Sequence, residues 1–184
     1  MVAFIFHGTG GHPDENWFPW LREKLEKSSC TVITPRFPTP EGQSLETWLK
    51  VLEEYRGRID ENTILIGHSL GGLFLLRLLE QLPHKVKAVF FTATPIGIQP
   101  IKNYEADKAF SGSFDLNWDE IRKKADAFSV FHSDNDPYVG LENGKELASN
   151  LGIELSFIPN AGHFNAKAGY VKFEKLWGKL QTLI

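Results

Sequence analysis

Cysteine is almost absent from this chain: Cys30 is the single cysteine among 184 residues. An internal disulfide is therefore excluded, and the sequence around Cys30 holds no group that would activate its thiol. We expect Cys30 to be a buried structural residue. The length fits one domain, residues 1–184, which is large enough to bury a core without disulfides.

Long apolar runs and leader sequences are also missing. No run approaches the roughly 18 apolar residues of a transmembrane helix. Met1 is followed directly by VAFIF, without the basic start and cleavage site of a signal peptide. We therefore expect no membrane association and a cytoplasmic location.

Neither sign of charge is in large excess, since the formal net charge is −3 at pH 7 and the pI is about 6.1. Nucleic-acid-binding proteins usually carry a basic face, so this composition argues against nucleic acid as a partner. Histidines and acids at the spacing of a metal site are missing as well. The pairs His7 with His12 and His132 with Asp134 have neither helical spacing nor accompanying cysteines. A metal site is thus a weak alternative, and we expect no metal and no cofactor.

Short apolar runs alternate with longer amphipathic segments over the whole chain. The runs are rich in Val, Ile and Phe and end at turn residues, which is typical of strands. The predicted strands are residues 2–6, 31–34, 63–67, 86–93, 128–132 and 153–158. Helical patterns lie near residues 17–27, 43–57, 71–82, 118–125, 140–150 and 167–181. This alternation predicts an α/β fold with a mostly parallel sheet of about six strands and helices on both faces.

The segment from Thr94 to Asn117 interrupts the alternation, because it shows no clear helical or strand period. A loop of this length inside a compact domain often acts as a lid or a specificity loop. The alternative is a plain surface connection.

The stretch LIGHSLGGL, residues 65–73, places Ser69 between Gly67 and Gly71 in a G-x-S-x-G pattern. A predicted strand precedes this pattern and a predicted helix follows it. Glycines permit the sharp turn that exposes a serine hydroxyl at the end of a strand. The N-terminus of the following helix supplies free N–H groups suited to a developing negative charge. The pattern predicts a nucleophilic serine.

A serine nucleophile needs a base, and the base needs an acid that orients it. Among six histidines, His163 in IPNAGHFN directly follows the last predicted strand, and so lies at the same edge of the sheet as Ser69. The stretch SDNDPYV follows the preceding strand and offers Asp134 and Asp136. We prefer Asp136, at the start of a turn, and keep Asp134 as the alternative acid. His68, next to the serine, is interpreted as structural.

The stretches FIFHGTGG, GHSLGG, SDNDPYV and AGHFN together resemble the α/β-hydrolase superfamily. More narrowly, the chain is similar to the small serine hydrolases related to the retinoblastoma-binding serine hydrolase and its bacterial relatives. The resemblance implies a three-layer fold without a cap domain and a catalytic triad of Ser69, Asp136 and His163. It also implies an oxyanion hole formed by the backbone N–H groups of Thr9 and Leu70.

Two classes of function follow. The first is a serine hydrolase that cleaves a carboxylic ester or thioester of a small to medium acyl group, with amide or peptide hydrolysis as the alternative. Its substrate would be a small molecule in a shallow pocket bordered by residues 8–18 and 94–117. The second is a protein-interaction module that retains a hydrolase fold, with either the aromatic residues Trp17, Phe18 and Trp20 or the irregular segment 94–117 as its surface. Nothing in the sequence specifically indicates a protein partner.

Overall fold

One sheet of six parallel strands forms the centre of the molecule, whose computed structural model describes all residues from Met1 to Ile184. The strands are β1 (Val2–Phe6), β2 (Thr31–Ile33), β3 (Thr63–His68), β4 (Val86–Thr92), β5 (Ala125–His132) and β6 (Ser156–Phe157). Their order across the sheet is β2-β1-β3-β4-β5-β6. The central strand β3 is buried along its whole length, which explains why its sequence is continuously apolar up to Gly67.

Seven α-helices cover the sheet. They are α1 (Phe18–Lys27), α2 (Leu45–Glu53), α3 (Leu70–Gln81), α4 (Tyr104–Ser111), α5 (Trp118–Ile121), α6 (Leu141–Leu151) and α7 (Glu174–Leu180). One apolar cluster packs α1 and α7 against one face of the sheet, and a second packs the other helices against the opposite face. The predicted α/β fold with helices on both faces is therefore confirmed, and no cap domain interrupts it. None of the helices is long and apolar enough to cross a membrane.

Several predicted boundaries are wrong. The predicted helix 118–125 ends as α5 at Ile121, and β5 starts at Ala125 rather than at residue 128, because Ala125 pairs with Val86 of β4. The predicted strand 153–158 is reduced to the two residues of β6. The last helix starts at Glu174 rather than at 167, since a 3-10 turn and the left-handed Gly169 precede it. The segment 94–117, which showed no period, contains the short helix α4.

The parallel arrangement brings the carboxyl ends of the central strands to one edge of the sheet. The turn after β3 holds Ser69, the turn after β5 holds Asp136, and the turn after β6 holds His163. The loop after β1 starts at His7 and runs beside these three turns. Cys30 is buried, as predicted.

Candidate active site

Ser69 occupies a strained turn between β3 and α3. Its backbone has φ 56° and ψ −124°, an angle pair that residues other than glycine rarely adopt. The turn is stabilised by the Ser69 N–H, which donates to the Thr92 carbonyl over 2.8 Å. A Cβ atom at Gly67 would lie 2.7 Å from the Gly72 Cα, and one at Gly71 would lie 2.6 Å from the His7 carbonyl oxygen. The two glycines are thus required by close backbone contacts on both sides of the serine.

His163 and Asp136 form a buried hydrogen-bonded pair. His163 Nδ1 lies 2.7 Å from Asp136 Oδ2, and the Asp136 side chain is fully buried. The second oxygen, Oδ1, accepts from the N–H groups of Tyr138 at 2.8 Å and Val139 at 3.1 Å. Because the carboxylate accepts, Nδ1 carries the hydrogen and Nε2 is left with a free lone pair. The imidazole is therefore oriented as a base.

Asp134 has a different position. Its Oδ1 accepts from the Asn160 N–H at 2.8 Å, and it does not contact the imidazole. The neighbouring side chains act in the same way: Ser133 Oγ accepts from the Ala161 N–H at 2.9 Å, and Asn135 Oδ1 accepts from the Gly162 N–H at 2.7 Å. Residues 133–135 therefore fasten the loop that carries His163. Of the two candidate acids, Asp136 is the one that touches the histidine.

The other buried histidines support the backbone around the site. His68 Nε2 lies 2.7 Å from the His163 carbonyl oxygen, to which it donates, and its ring packs 4.8 Å from the His163 ring. Burial, together with the nearby His163, lowers the pKa of His68 to about 3, so the ring stays neutral. His132 Nε2 similarly donates to the Val139 carbonyl, beside Asp136, at 3.0 Å. The structural interpretation of His68 agrees with these contacts.

The loop after β1 is shaped by His7. Its Nδ1 donates to the Gly8 carbonyl at 2.9 Å, and its Nε2 accepts from the Phe37 N–H at 3.0 Å. Gly8 packs tightly on the serine, because a Cβ atom there would lie 2.8 Å from Ser69 Cβ. The next N–H, that of Thr9, has no acceptor in the chain, and the Leu70 N–H is the first of α3 and has none within the helix. Both N–H groups are free to donate to a ligand.

A cavity of about 510 Å³ lies over these groups. Ser69, His163 and Thr9 form part of its wall, and so do the 8–16 loop and residues of the 94–117 segment. These are the two borders that the sequence predicted. Among the lining residues that the sequence analysis did not single out are Tyr138, which packs 4.8 Å from the His163 ring, and Asp107 on α4. No local pattern marks either, since their place in the wall depends on how distant segments pack.

The structure also places the residues of the two alternative interpretations. Trp17 and Phe18 are buried, and Trp17 Nε1 donates to the Phe164 carbonyl at 2.9 Å, so these two rings cannot form a binding surface, whereas Trp20 is half-buried. No group of three or more His, Cys, Asp or Glu side chains is arranged to hold a metal ion. Both ring nitrogens of His7 are occupied by backbone hydrogen bonds.

The sheet order, the strained serine and the buried histidine–carboxylate pair define an α/β hydrolase. Comparison with known proteins gives the family: the serine hydrolase family matches residues 3–182, and the chain belongs to it. The Bacillus subtilis (strain 168) protein YdeN is 30% identical over 182 residues, which are 98% of this chain and 94% of YdeN. The serine hydrolase RBBP9 of Rattus norvegicus is 28% identical over 88% of this chain and 86% of its own length. The crystal structure of the B. subtilis ydeN gene product superposes with a TM-score of 0.90 at 27% identity, covering 99% of this chain and 97% of that one.

Proposed function

We propose that this serine hydrolase cleaves carboxylic esters or thioesters of small to medium acyl groups through a triad of Ser69, His163 and Asp136. The observation that carries the proposal is the 2.7 Å contact between Asp136 Oδ2 and Nδ1 of His163, a residue that lines the same cavity as Ser69. A neutral imidazole with Nδ1 bound to a carboxylate is the form that can accept a proton at Nε2.

The reaction proceeds through an acyl-enzyme. His163 Nε2 takes the Ser69 hydroxyl proton while Oγ attacks the substrate carbonyl, and the resulting oxyanion accepts hydrogen bonds from the Thr9 and Leu70 N–H groups. Collapse of this intermediate breaks the bond to the leaving oxygen or sulfur, which receives the proton from His163. A water molecule, deprotonated by the same imidazole, then attacks the acyl carbon and releases the acid and the free serine.

The size of the cavity supports the proposed substrate class. Its volume of about 510 Å³ lies within the range of sites that bind small molecules. No cap domain covers it, so long acyl chains would lie partly in solvent. Esters of short and medium acids are the substrates that this cavity fits best.

Pre-steady-state hydrolysis of p-nitrophenyl esters and matching thioesters of increasing acyl length tests the proposal. The wild type is expected to show a burst of p-nitrophenol that scales with enzyme concentration, and Ser69→Ala is expected to show none. Ser149→Ala removes an exposed hydroxyl on α6 and serves as the matched control, which retains the burst. Turnover no faster than that of Ser69→Ala on every ester and thioester would exclude this function and direct attention to amides.

A further inference from the structure

A buried carboxylate without a partner lines the cavity. Asp107, on α4, is only 5% exposed, yet its side chain makes no hydrogen bond and no salt bridge in the chain. Its backbone N–H donates to the carbonyl of Asn103, the residue that precedes α4, and leaves the side chain unpaired. Burial of a carboxylate without a donor or a cation is costly, and buried polar groups in proteins are normally paired. The Asp107 oxygens are not among the fully enclosed side-chain atoms without a partner, so they are open to the cavity, where a ligand can pair with them.

The surroundings of Asp107 favour a positively charged ligand. Burial alone raises the pKa of its carboxyl to about 7, with no cation nearby to offset the effect. Glu15, also in the cavity wall, is half-buried, and burial raises the pKa of its carboxyl as well. Asp14 differs, because Arg22 and Arg36 both pair with it. Lys167 is the only lysine or arginine in the wall, and it forms no salt bridge with these acids.

We propose that Asp107 determines the substrate specificity of this cavity by binding an ammonium group carried by the substrate. The inference rests on the proposed function, because it assigns a charged group to the same ester or thioester. An ammonium group supplies both the charge and, where it bears hydrogens, the donors that the Asp107 carboxylate lacks. Asp107 lies on the segment between β4 and β5, outside the turns that carry Ser69, Asp136 and His163, and the proposal assigns it a role in binding and not in proton transfer.

Pairs of substrates that differ only in charge test this inference. The first pairs are p-nitrophenyl esters of glycine, β-alanine and ε-aminocaproic acid, each compared with the ester in which a methyl group replaces the ammonium. The last pair places the charge in the alcohol: butyrylcholine against its carbon isostere, dimethylbutyl butyrate. The measured quantity is the ratio of kcat/KM within each pair. We expect the wild type to favour the charged member of at least one pair by about tenfold or more.

Two variants distinguish an effect of the Asp107 carboxylate itself from an effect of the overall charge of the protein. Asp107→Asn keeps the shape of the side chain and is expected to bring the ratio close to one. Glu105→Gln removes the same charge from an exposed position of α4 and is expected to keep the wild-type ratio. Thermal melting verifies that both variants are folded. A ratio near one in the wild type for all pairs, or a ratio that persists in Asp107→Asn, would overturn the inference.

A binding measurement keeps this test independent of turnover. The p-nitroanilides of the same acids are titrated by calorimetry into Ser69→Ala and into the double variant Ser69→Ala/Asp107→Asn. Tighter binding of the charged member, lost in the double variant, would support the ammonium site even if no ester were hydrolysed. Ester turnover that depends on Ser69 but ignores charge in both measurements would leave the proposed function standing and refute the ammonium site.

Discussion

Asp134 and Asp136 are two positions apart in the sequence and have unrelated contacts. Asp136 holds the His163 imidazole, whereas Asp134 accepts a backbone hydrogen bond from Asn160. An asparagine at 136 can present its NH₂ group to Nδ1 and so favour the wrong tautomer of the base. An asparagine at 134 still offers a carbonyl oxygen to the Asn160 N–H.

We therefore expect Asp136→Asn to lower kcat for ester hydrolysis by about 10³–10⁴-fold, as loss of a triad acid does in other serine hydrolases. Asp134→Asn, the matched control, is expected to change kcat by less than about threefold, because one neutral hydrogen bond replaces a charge-assisted one. The measurement is kcat of both variants on one ester at the same pH. Equal losses in the two variants would contradict the assignment of Asp136 as the acid.

Gly71 has a steric role that a single methyl group tests. A Cβ atom there would meet the carbonyl oxygens of Phe6 and His7, which belong to the backbone and cannot rotate away. Gly71→Ala is expected to lower the free energy of unfolding by about 3 kcal/mol or more and to abolish activity. Gly178→Ala adds the same methyl group in open space on α7, where it should raise stability by up to about 1 kcal/mol. Urea denaturation of both variants compares them, and a mild effect at position 71 would refute the steric argument.

At the scale of elements, Arg77 connects the helix behind Ser69 to the end of α4. From α3 its guanidinium donates to Ser111 Oγ at 2.9 Å, to the Ser113 carbonyl at 2.7 Å and to the Asp115 carbonyl at 3.0 Å. It also pairs with Glu80 at 2.9 Å, and its side chain is only 12% exposed. The planar fork of an arginine can serve these acceptors together, which the single ammonium of a lysine cannot.

Arg77→Lys is accordingly expected to lower the free energy of unfolding by about 2–3 kcal/mol and to speed amide hydrogen exchange in α4. The control is Arg56→Lys, whose arginine forms an exposed pair with Glu53 and should change stability by less than about 1 kcal/mol. Exchange measured by mass spectrometry locates the effect. Unchanged exchange in α4 would show that other contacts hold this helix in place.

The elements differ in how well the sequence predicts them. The strand, serine turn and helix at 63–81 were predictable, because a fully buried strand is continuously apolar and close backbone packing requires glycines at fixed positions. Helix α4 was not, since it has only eight residues and follows a stretch broken by Pro and Gly. The start of β5 was misplaced because Ala125 and Asp126 are poor strand formers, which pairing with β4 nevertheless holds extended.

The site itself was predictable only where it depends on strand ends. Ser69, Asp136 and His163 each follow a strand, and parallel strands end at one edge, so sequence order implied proximity. Asp107 carried no such signal, because its burial is decided by the fold of a segment whose helix was itself not predicted. A charged residue in a segment without helical or strand periodicity is usually exposed. Only the packing of the folded chain shows that Asp107 is buried.

At the scale of the whole molecule, protonation links folding to pH in two opposite ways. Burial lowers the pKa values of His7, His68 and His132 below their ordinary 6.5, so the folded chain excludes protons that the unfolded chain binds below that pH. These three residues make the protein less stable as the pH falls. Asp107 and Glu15 act in the other direction, because burial raises their pKa values and the folded chain keeps protons that the unfolded chain has released.

His68 and Asp107 have the largest of these shifts, to pKa values of about 3 and about 7, and below pH 6.5 they act in opposite directions. Each proton of difference between the folded and unfolded chains contributes about 1.4 kcal/mol per pH unit. Asp107→Asn removes one opposing group, so below about pH 7 its stability should fall more steeply with acidification, by up to that amount per pH unit. The stability advantage of the variant over the wild type should be largest above about pH 7 and should shrink towards pH 3.8, the ordinary pKa of the carboxyl. Urea denaturation of both proteins from pH 8 to pH 5 gives the two slopes. Parallel curves would mean that the Asp107 carboxyl titrates alike in the folded and the unfolded chain, and that its burial does not raise its pKa.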